Sequence, residues 1–209
     1  MNKIYFRFGT MFSGKTLNLI STVKTYELNG YNVIILKHSK DTRDTVIKSR
    51  MSNDCLDCIT FDDNDNLEDV CQKALDDFYK ENPLSSIAAI LIDEVQFCSL
   101  EHIHSLHAIS KIAPVICYGL KTSYTGELFP AISALLAIAE DTSEIKTICS
   151  MCSKKATHNL LLRNGQPIYS GDTVNIEGEN VSEQYKAVCR KHFYEPIINI
   201  TYNKENDNE

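Results

Sequence analysis

The run GTMFSGKT, Gly9 to Thr16, constrains this chain more than any other feature. It follows an apolar stretch, Ile4 to Phe8, and opens onto a helix-forming segment at Lys15. Strand, loop and helix in that order describe a loop that holds nucleotide phosphates. Gly9 supplies the first turn and Gly14 the close backbone approach, so that the N–H groups of Thr10, Met11, Phe12 and Ser13 can point at phosphate oxygens without intervening side chains. Lys15 is placed to neutralise the β- and γ-phosphates, and the Thr16 hydroxyl to reach Mg²⁺. A chance match in an ordinary Gly/Ser turn is the competing reading; the flanking strand and helix weigh against it.

Around this loop the chain alternates β-prone and helical runs: Lys3–Phe8, Lys15–Leu28, Asn32–Leu36, Leu67–Tyr79, Ala88–Ile92, Leu100–Ser110 and Pro114–Tyr118. Alternation of that kind predicts an α/β fold, a parallel sheet flanked by helices. From Glu144 onward the texture changes to short polar and β-prone pieces bracketed by cysteines, too poor in apolar residues to form a core without a staple. The expected organisation is a phosphate-loop α/β domain over residues 1–143, a small zinc-ribbon-like lid domain over 144–202, and a disordered acidic tail over 203–209.

Composition removes several classes of function. With 209 residues, 43% of them apolar, the chain can bury one proper core but cannot be a large multidomain machine. A formal charge of −7 argues against a broad grip on nucleic acid or an anionic membrane. No apolar stretch approaches the roughly 18 residues of a membrane span, and Met1-Asn2-Lys3 runs straight into the first strand. A soluble, cytoplasmic protein is expected, and the eight cysteines then read as reduced thiols and metal ligands.

Two further constellations carry chemistry. The apolar run Ala88 to Ile92 ends in Asp93-Glu94-Val95-Gln96-Phe97. At the C-terminal end of a buried strand, beside a phosphate loop, Asp93 can fix Mg²⁺ and Glu94 can accept a proton from the attacking nucleophile. The competing reading is a pair of capping acids ahead of the Leu100 helix. If Glu94 activates water, the chain is an ATPase or nucleotide switch with a zinc-stapled partner-binding module; if it activates a substrate hydroxyl, a kinase. Cys149-Ser-Met-Cys152 and Cys189-Arg-Lys-His192 are two chelating pairs whose four side chains specify structural zinc with no open coordination position. A third pair, Cys55 and Cys58, reads as a bystander, and Cys71, Cys98 and Cys117 as packing residues.

Taken in order, GTMFSGKT, the KHSKDTR stretch Lys37–Arg43, IDEVQF, CYGLKTSYTGELF and the split cysteine–histidine site resemble the zinc-containing, phosphate-loop thymidine kinases over nearly the whole chain. The resemblance implies ATP-dependent phosphorylation of the 5′-hydroxyl of thymidine or deoxyuridine, with Glu94 as general base and Asp41 and Arg43 near the reacting phosphates. It implies a nucleoside pocket formed by Met11, Gln96, Phe97, Leu120, Tyr124, Phe129, Asn159 and Tyr185. The lid stretch Thr173, Val174, Asn175, Ile176, Glu177 and Gly178 would grip the base through backbone groups. It also implies a homotetramer and feedback inhibition by dTTP. Several positions depart from the family pattern: Glu177 in an Ile-Gly-Gly turn; Lys121, Ser123 and Thr125 in the stretch Lys121–Phe129, where RTDFRGELF is usual and two arginines and an acid are lost; and Asn159 where a hydroxyl or apolar side chain is common near the thymine methyl group.

Overall fold

The computed structural model describes residues 1–41, 46–49, 54–171 and 183–196. Arg43, the lid residues Thr173, Val174, Asn175, Ile176, Glu177 and Gly178, and the tail 203–209 lie outside the described residues. In chain order the first part contains β1 (Ile4–Gly9), α1 (Lys15–Leu28), β2 (Asn32–His38), β3 (Ile47–Lys48), β4 (Cys55–Leu56), β5 (Ile59–Phe61) and α2 (Leu67–Glu81). It continues with β6 (Ile87–Asp93), a 3-10 turn (Val95–Phe97), α3 (Leu100–Ile109), β7 (Val115–Leu120), α4 (Pro130–Ile138) and β8 (Asp141–Glu144). After it come β9 (His158–Arg163), β10 (Gln166–Ile168), β11 (Glu183–Val188) and α5 (Arg190–Tyr194).

Six strands form one sheet in the order β5-β2-β6-β7-β1-β8, with every neighbouring pair parallel. The continuous apolar run of β6 is explained by two covered faces: with a period of two, Ala89 and Leu91 meet α1 residues Leu19, Ile20 and Val23, while Ile90 and Ile92 face the core under α2, α3 and α4. Helix starts follow local chemistry. Asn66 caps α2 by accepting from the Glu68 and Asp69 amides, and Ser99 caps α3 in a reciprocal box with His102.

Crossover connections bring the C-terminal ends of β1, β2, β6 and β7 to one edge, the crevice where open α/β sheets hold ligands. In register, Gly9 lies opposite Leu120 and Lys37 opposite Asp93. The C-terminal piece is a separate antiparallel sheet in the order β10-β9-β11. Its β9–β10 hairpin turns on Asn164 and Gly165, both at positive φ, as a two-residue turn between twisted strands requires.

Candidate active site

The loop from Gly9 to Thr16 sits between the end of β1 and the start of α1. Gly9 is obligatory for packing: a Cβ there would lie 2.6 Å from the Ile145 carbonyl oxygen and collide with the Ser13 hydroxyl. Gly14 is the residue before α1, at φ 84°, and no side chain caps that helix. The first amides of α1 are therefore left to whatever the loop holds. Phe12 adopts φ 60°, an uncommon conformation for a side-chain-bearing residue and one that turns the loop back on itself. Lys15 is buried and folds over the loop, its Nζ donating to the Thr10 carbonyl at 3.0 Å. The Thr10 and Ser13 hydroxyls are buried without a hydrogen-bond partner among the described residues. Of the loop amides expected to face phosphate, that of Met11 donates to Asn159 at 2.8 Å and that of Ser13 to the Thr10 carbonyl at 3.3 Å, so the two orphaned hydroxyls are the loop groups that suit phosphate oxygens.

At the end of β6, Asp93 is 3% exposed. Burial, and then the neighbouring charge of Glu94, push its carboxyl up to about 7, against the opposing pull of the Glu94 amide, Lys15 and Lys37. A carboxylate held so far from water is short of positive charge, the condition a divalent cation relieves. With the Thr16 hydroxyl it offers only oxygen donors, which suits Mg²⁺. Lys37, on the adjacent strand, is buried and pairs with Asp41 at 3.1 Å. Asp41 is thereby tied to the residue in register with Asp93.

Glu94 stands at φ 56°, a left-handed conformation imposed where β6 breaks into the 3-10 turn. Its carboxylate is held by Gln96, whose Nε2 donates to Glu94 Oε2 at 2.5 Å. The other end of the same buried carboxamide accepts from the Leu120 amide at 2.9 Å. A Cβ on Gly119 would lie 2.6 Å from Gln96 Oε1 and 2.8 Å from Val95 Cγ1, so only glycine leaves room for this bridge. Sequence reasoning missed Gly119; its one visible trace is a glycine inside an apolar strand, which marks close approach by another group.

Met11, Tyr124, Leu161, Tyr185 and Ile168 form one apolar cluster between the phosphate loop and the C-terminal sheet, with the Tyr124 and Tyr185 rings edge to face at 6.3 Å. The structure so unites three of the expected nucleoside-lining residues. Phe129 instead belongs to the main core at the start of α4, Leu120 packs on that core at the end of β7, and Phe97 faces His38 at 6.2 Å between ring centres. Asn159 is buried beside the loop and spends its carboxamide on backbone, accepting from the Met11 amide at 2.8 Å and donating to the Thr122 carbonyl at 2.9 Å. Loop, Lys121, Thr122 and Asn159 border a cleft of about 160 Å³ that also includes Glu144 and Lys155.

Cys149, Cys152, Cys189 and His192 present ligand atoms that all lie within 4.8 Å of one another, the one such cluster among the described residues. Cys149 Sγ is 3.3 Å from His192 Nδ1, Cys189 Sγ is 3.6 Å from the same nitrogen, and Cys152 and Cys189 sulfurs are 3.8 Å apart. A zinc–sulfur bond of about 2.3 Å gives tetrahedral edges of about 3.8 Å, so the four donors fit zinc. Burial pushes the Cys149 thiol up, but donors from the Cys189 backbone, the His192 ring and the Met151 backbone outweigh it and bring it down to about 6. That favours the thiolate a metal requires. Cys55 is exposed and Cys58 half-buried, and neither joins the cluster. No helix among the described residues is long and apolar enough to cross a membrane.

The family model described as thymidine kinase matches residues 2–193. Curated thymidine kinases from Streptococcus gordonii (37% identity over 203 residues), Streptococcus pyogenes (36% over 211) and Streptococcus agalactiae (37% over 202) are similar to the chain. Each alignment spans 95% of this chain and all of the relative. Matched by that family model over residues 2–193 and by relatives at 36–37% identity across 95% of its length, the chain belongs to the thymidine kinase family.

Proposed function

We propose that this protein transfers the γ-phosphoryl group of ATP to the 5′-hydroxyl of thymidine or deoxyuridine, yielding the monophosphate. The observation that carries the reading is the convergence, at one sheet edge, of the loop Gly9–Thr16, the acids Asp93 and Glu94, and the Met11–Tyr124–Tyr185 cluster. The loop holds the triphosphate, Lys15 leaves the Thr10 carbonyl for the phosphates, and Glu94, held by Gln96, accepts the hydroxyl proton as the phosphorus is attacked in line. Asp93 and Thr16 would hold Mg²⁺, which when bound neutralises charge on the β- and γ-phosphates. Arg43 is assigned to the transferring phosphate, and the stretch 173–178 to the pyrimidine edge.

Residues 1–143 act as the nucleotide-holding unit and 144–202 as the zinc-stapled lid, with zinc serving the fold and not the reaction. Eight free thiols suit a reducing, cytoplasmic setting. The homotetramer rests on the family resemblance alone. Inhibition by dTTP follows if the end product spans the nucleoside cluster and the phosphate loop together.

The test is to incubate the full chain with Mg·ATP and a panel of deoxynucleosides and resolve the products. Thymidine and deoxyuridine monophosphates are expected. ATP turnover indifferent to nucleoside would replace this reading with that of an ATPase or switch.

A further inference from the structure

Asn159 does more than border the cleft. It is 2% exposed, and its two hydrogen bonds reach partners 148 and 37 residues away in sequence, one in the phosphate loop and one after β7. The strand that carries it is braced on one side by β11, which runs into Cys189 and which the segment after Cys149 also bonds. Asn159 pairs in register with Ala187 on β11, the Thr157 amide donates to the Val188 carbonyl at 2.8 Å, and the Ser150 amide donates to the Ala187 carbonyl at 2.8 Å. Cys149 immediately precedes Ser150, and Cys189 immediately follows Val188. A short path of chain and hydrogen bonds thus runs from Cys189 through Val188, Thr157 and Asn159 to the amide of Met11.

That amide lies in the first turn of the phosphate loop, one residue before Phe12 with its positive φ. A conformation of that kind persists only where neighbours over-determine it. The Asn159 acceptor fixes the turn from one side while Met11 packs on Tyr124, Leu161 and Tyr185 from the other. A loop held in its binding shape pays less ordering entropy when ATP arrives.

We propose that Asn159 is a positioning residue through which the zinc-stapled module sets the first turn of the phosphate loop, so that metal occupancy of Cys149, Cys152, Cys189 and His192 raises ATP affinity. The proposal rests on the reading of this loop as an ATP cradle, but its readout is binding, not phosphoryl transfer.

The experiment titrates Mg·ATP calorimetrically into the full chain and into Asn159→Leu, each zinc-loaded and zinc-stripped. Asn159→Leu keeps its zinc by metal analysis yet binds Mg·ATP about tenfold or more weakly, as expected for two lost buried hydrogen bonds. Stripping zinc from the unsubstituted chain weakens binding by a similar factor, and stripping it from the variant adds less than about twofold. ATP affinity in the zinc-loaded variant within about twofold of the unsubstituted chain overturns the proposal, as does an equal loss on stripping both proteins. Amide hydrogen exchange at Met11 in the unsubstituted chain needs no variant to fold: faster exchange after zinc removal supports the coupling, and unchanged exchange refutes it. If the coupling appears while thymidine stays unphosphorylated, the kinase reading falls and the coupling stands; if phosphorylation proceeds and the variant binds ATP normally, only the coupling falls.

Discussion

A single methyl group at Gly119 should disable Glu94, the base proposed above, without touching the loop Gly9–Thr16. A Cβ there would sit 2.6 Å from Gln96 Oε1 and 2.8 Å from Val95 Cγ1, whereas ordinary contact begins at 3.4 Å. Relief requires Gln96 to retreat by 3.4 − 2.6 = 0.8 Å, and the fully buried Val95 gives it little help. Hydrogen bonds tolerate only about 0.3 Å of stretch around their best distance, so the Leu120 bond at 2.9 Å and the grip on Glu94 cannot both survive. Overpacking of this kind costs about 1–3 kcal/mol of stability. A base displaced by close to an ångström loses roughly 10- to 100-fold in rate. Gly119→Ala should therefore show an unfolding free energy in urea lowered by about 1–3 kcal/mol and kcat down by one to two decades, with Mg·ATP affinity within about twofold of the parent. A kcat within about threefold of the parent in a variant that folds and keeps its zinc would refute the role given to the Gln96 bridge.

Two other outcomes follow from the same geometry. Cys149→Ser replaces a thiolate ligand by a hydroxyl, so zinc measured by metal analysis should fall from about one per chain to near none, with a lower unfolding temperature by calorimetry; retention of the metal would contradict the four-ligand assignment. His38 is fully buried, its Nδ1 accepts from the Lys40 amide at 3.1 Å, and burial holds its pKa below the ordinary 6.5, with Asp63 opposing and Lys40 and His102 assisting. Because the fold prefers the neutral ring, its contribution is complete above about 6.5 and is lost as pH falls through the lowered folded value. Urea stability should drop between pH 7 and 5, less steeply in His38→Gln; equal slopes would rule out this histidine as the source.

Much of the sheet was legible because its signals are local. The apolar run Ala88–Ile92 announces a strand covered on both faces, and Gly9, Gly14 and Lys15 mark the loop by spacing alone. Asn29-Gly30 stops α1 where the sequence places the stop. β8 was not legible: Asp141-Thr-Ser-Glu144 has no apolar residue, and it becomes a strand only because the edge of β1 offers a parallel partner. The same holds for α4, whose uniform apolarity has no helical period to read. At the site, spacing singled out the cysteine–histidine cluster and the paired acids, yet gave no hint that Gln96 reaches Leu120 or that Asn159 holds Met11. Those contacts join residues 24 and 148 positions apart, and only the folded topology sets them side by side. Resemblance grouped Met11, Tyr124 and Tyr185 with Phe129, whereas packing divides them between the small cluster beside the loop and the main core.

The central claim is that Glu94 removes the proton from the nucleoside hydroxyl. Glu94→Gln preserves the size of the side chain and its place beside Gln96 while abolishing its basicity, so its kcat with thymidine and its equilibrium affinity for Mg·ATP should be measured on the same preparation. The account predicts a fall in kcat of about a hundredfold or more, with ATP affinity changed by less than about threefold. Turnover retained above about a tenth of the parent rate would contradict it.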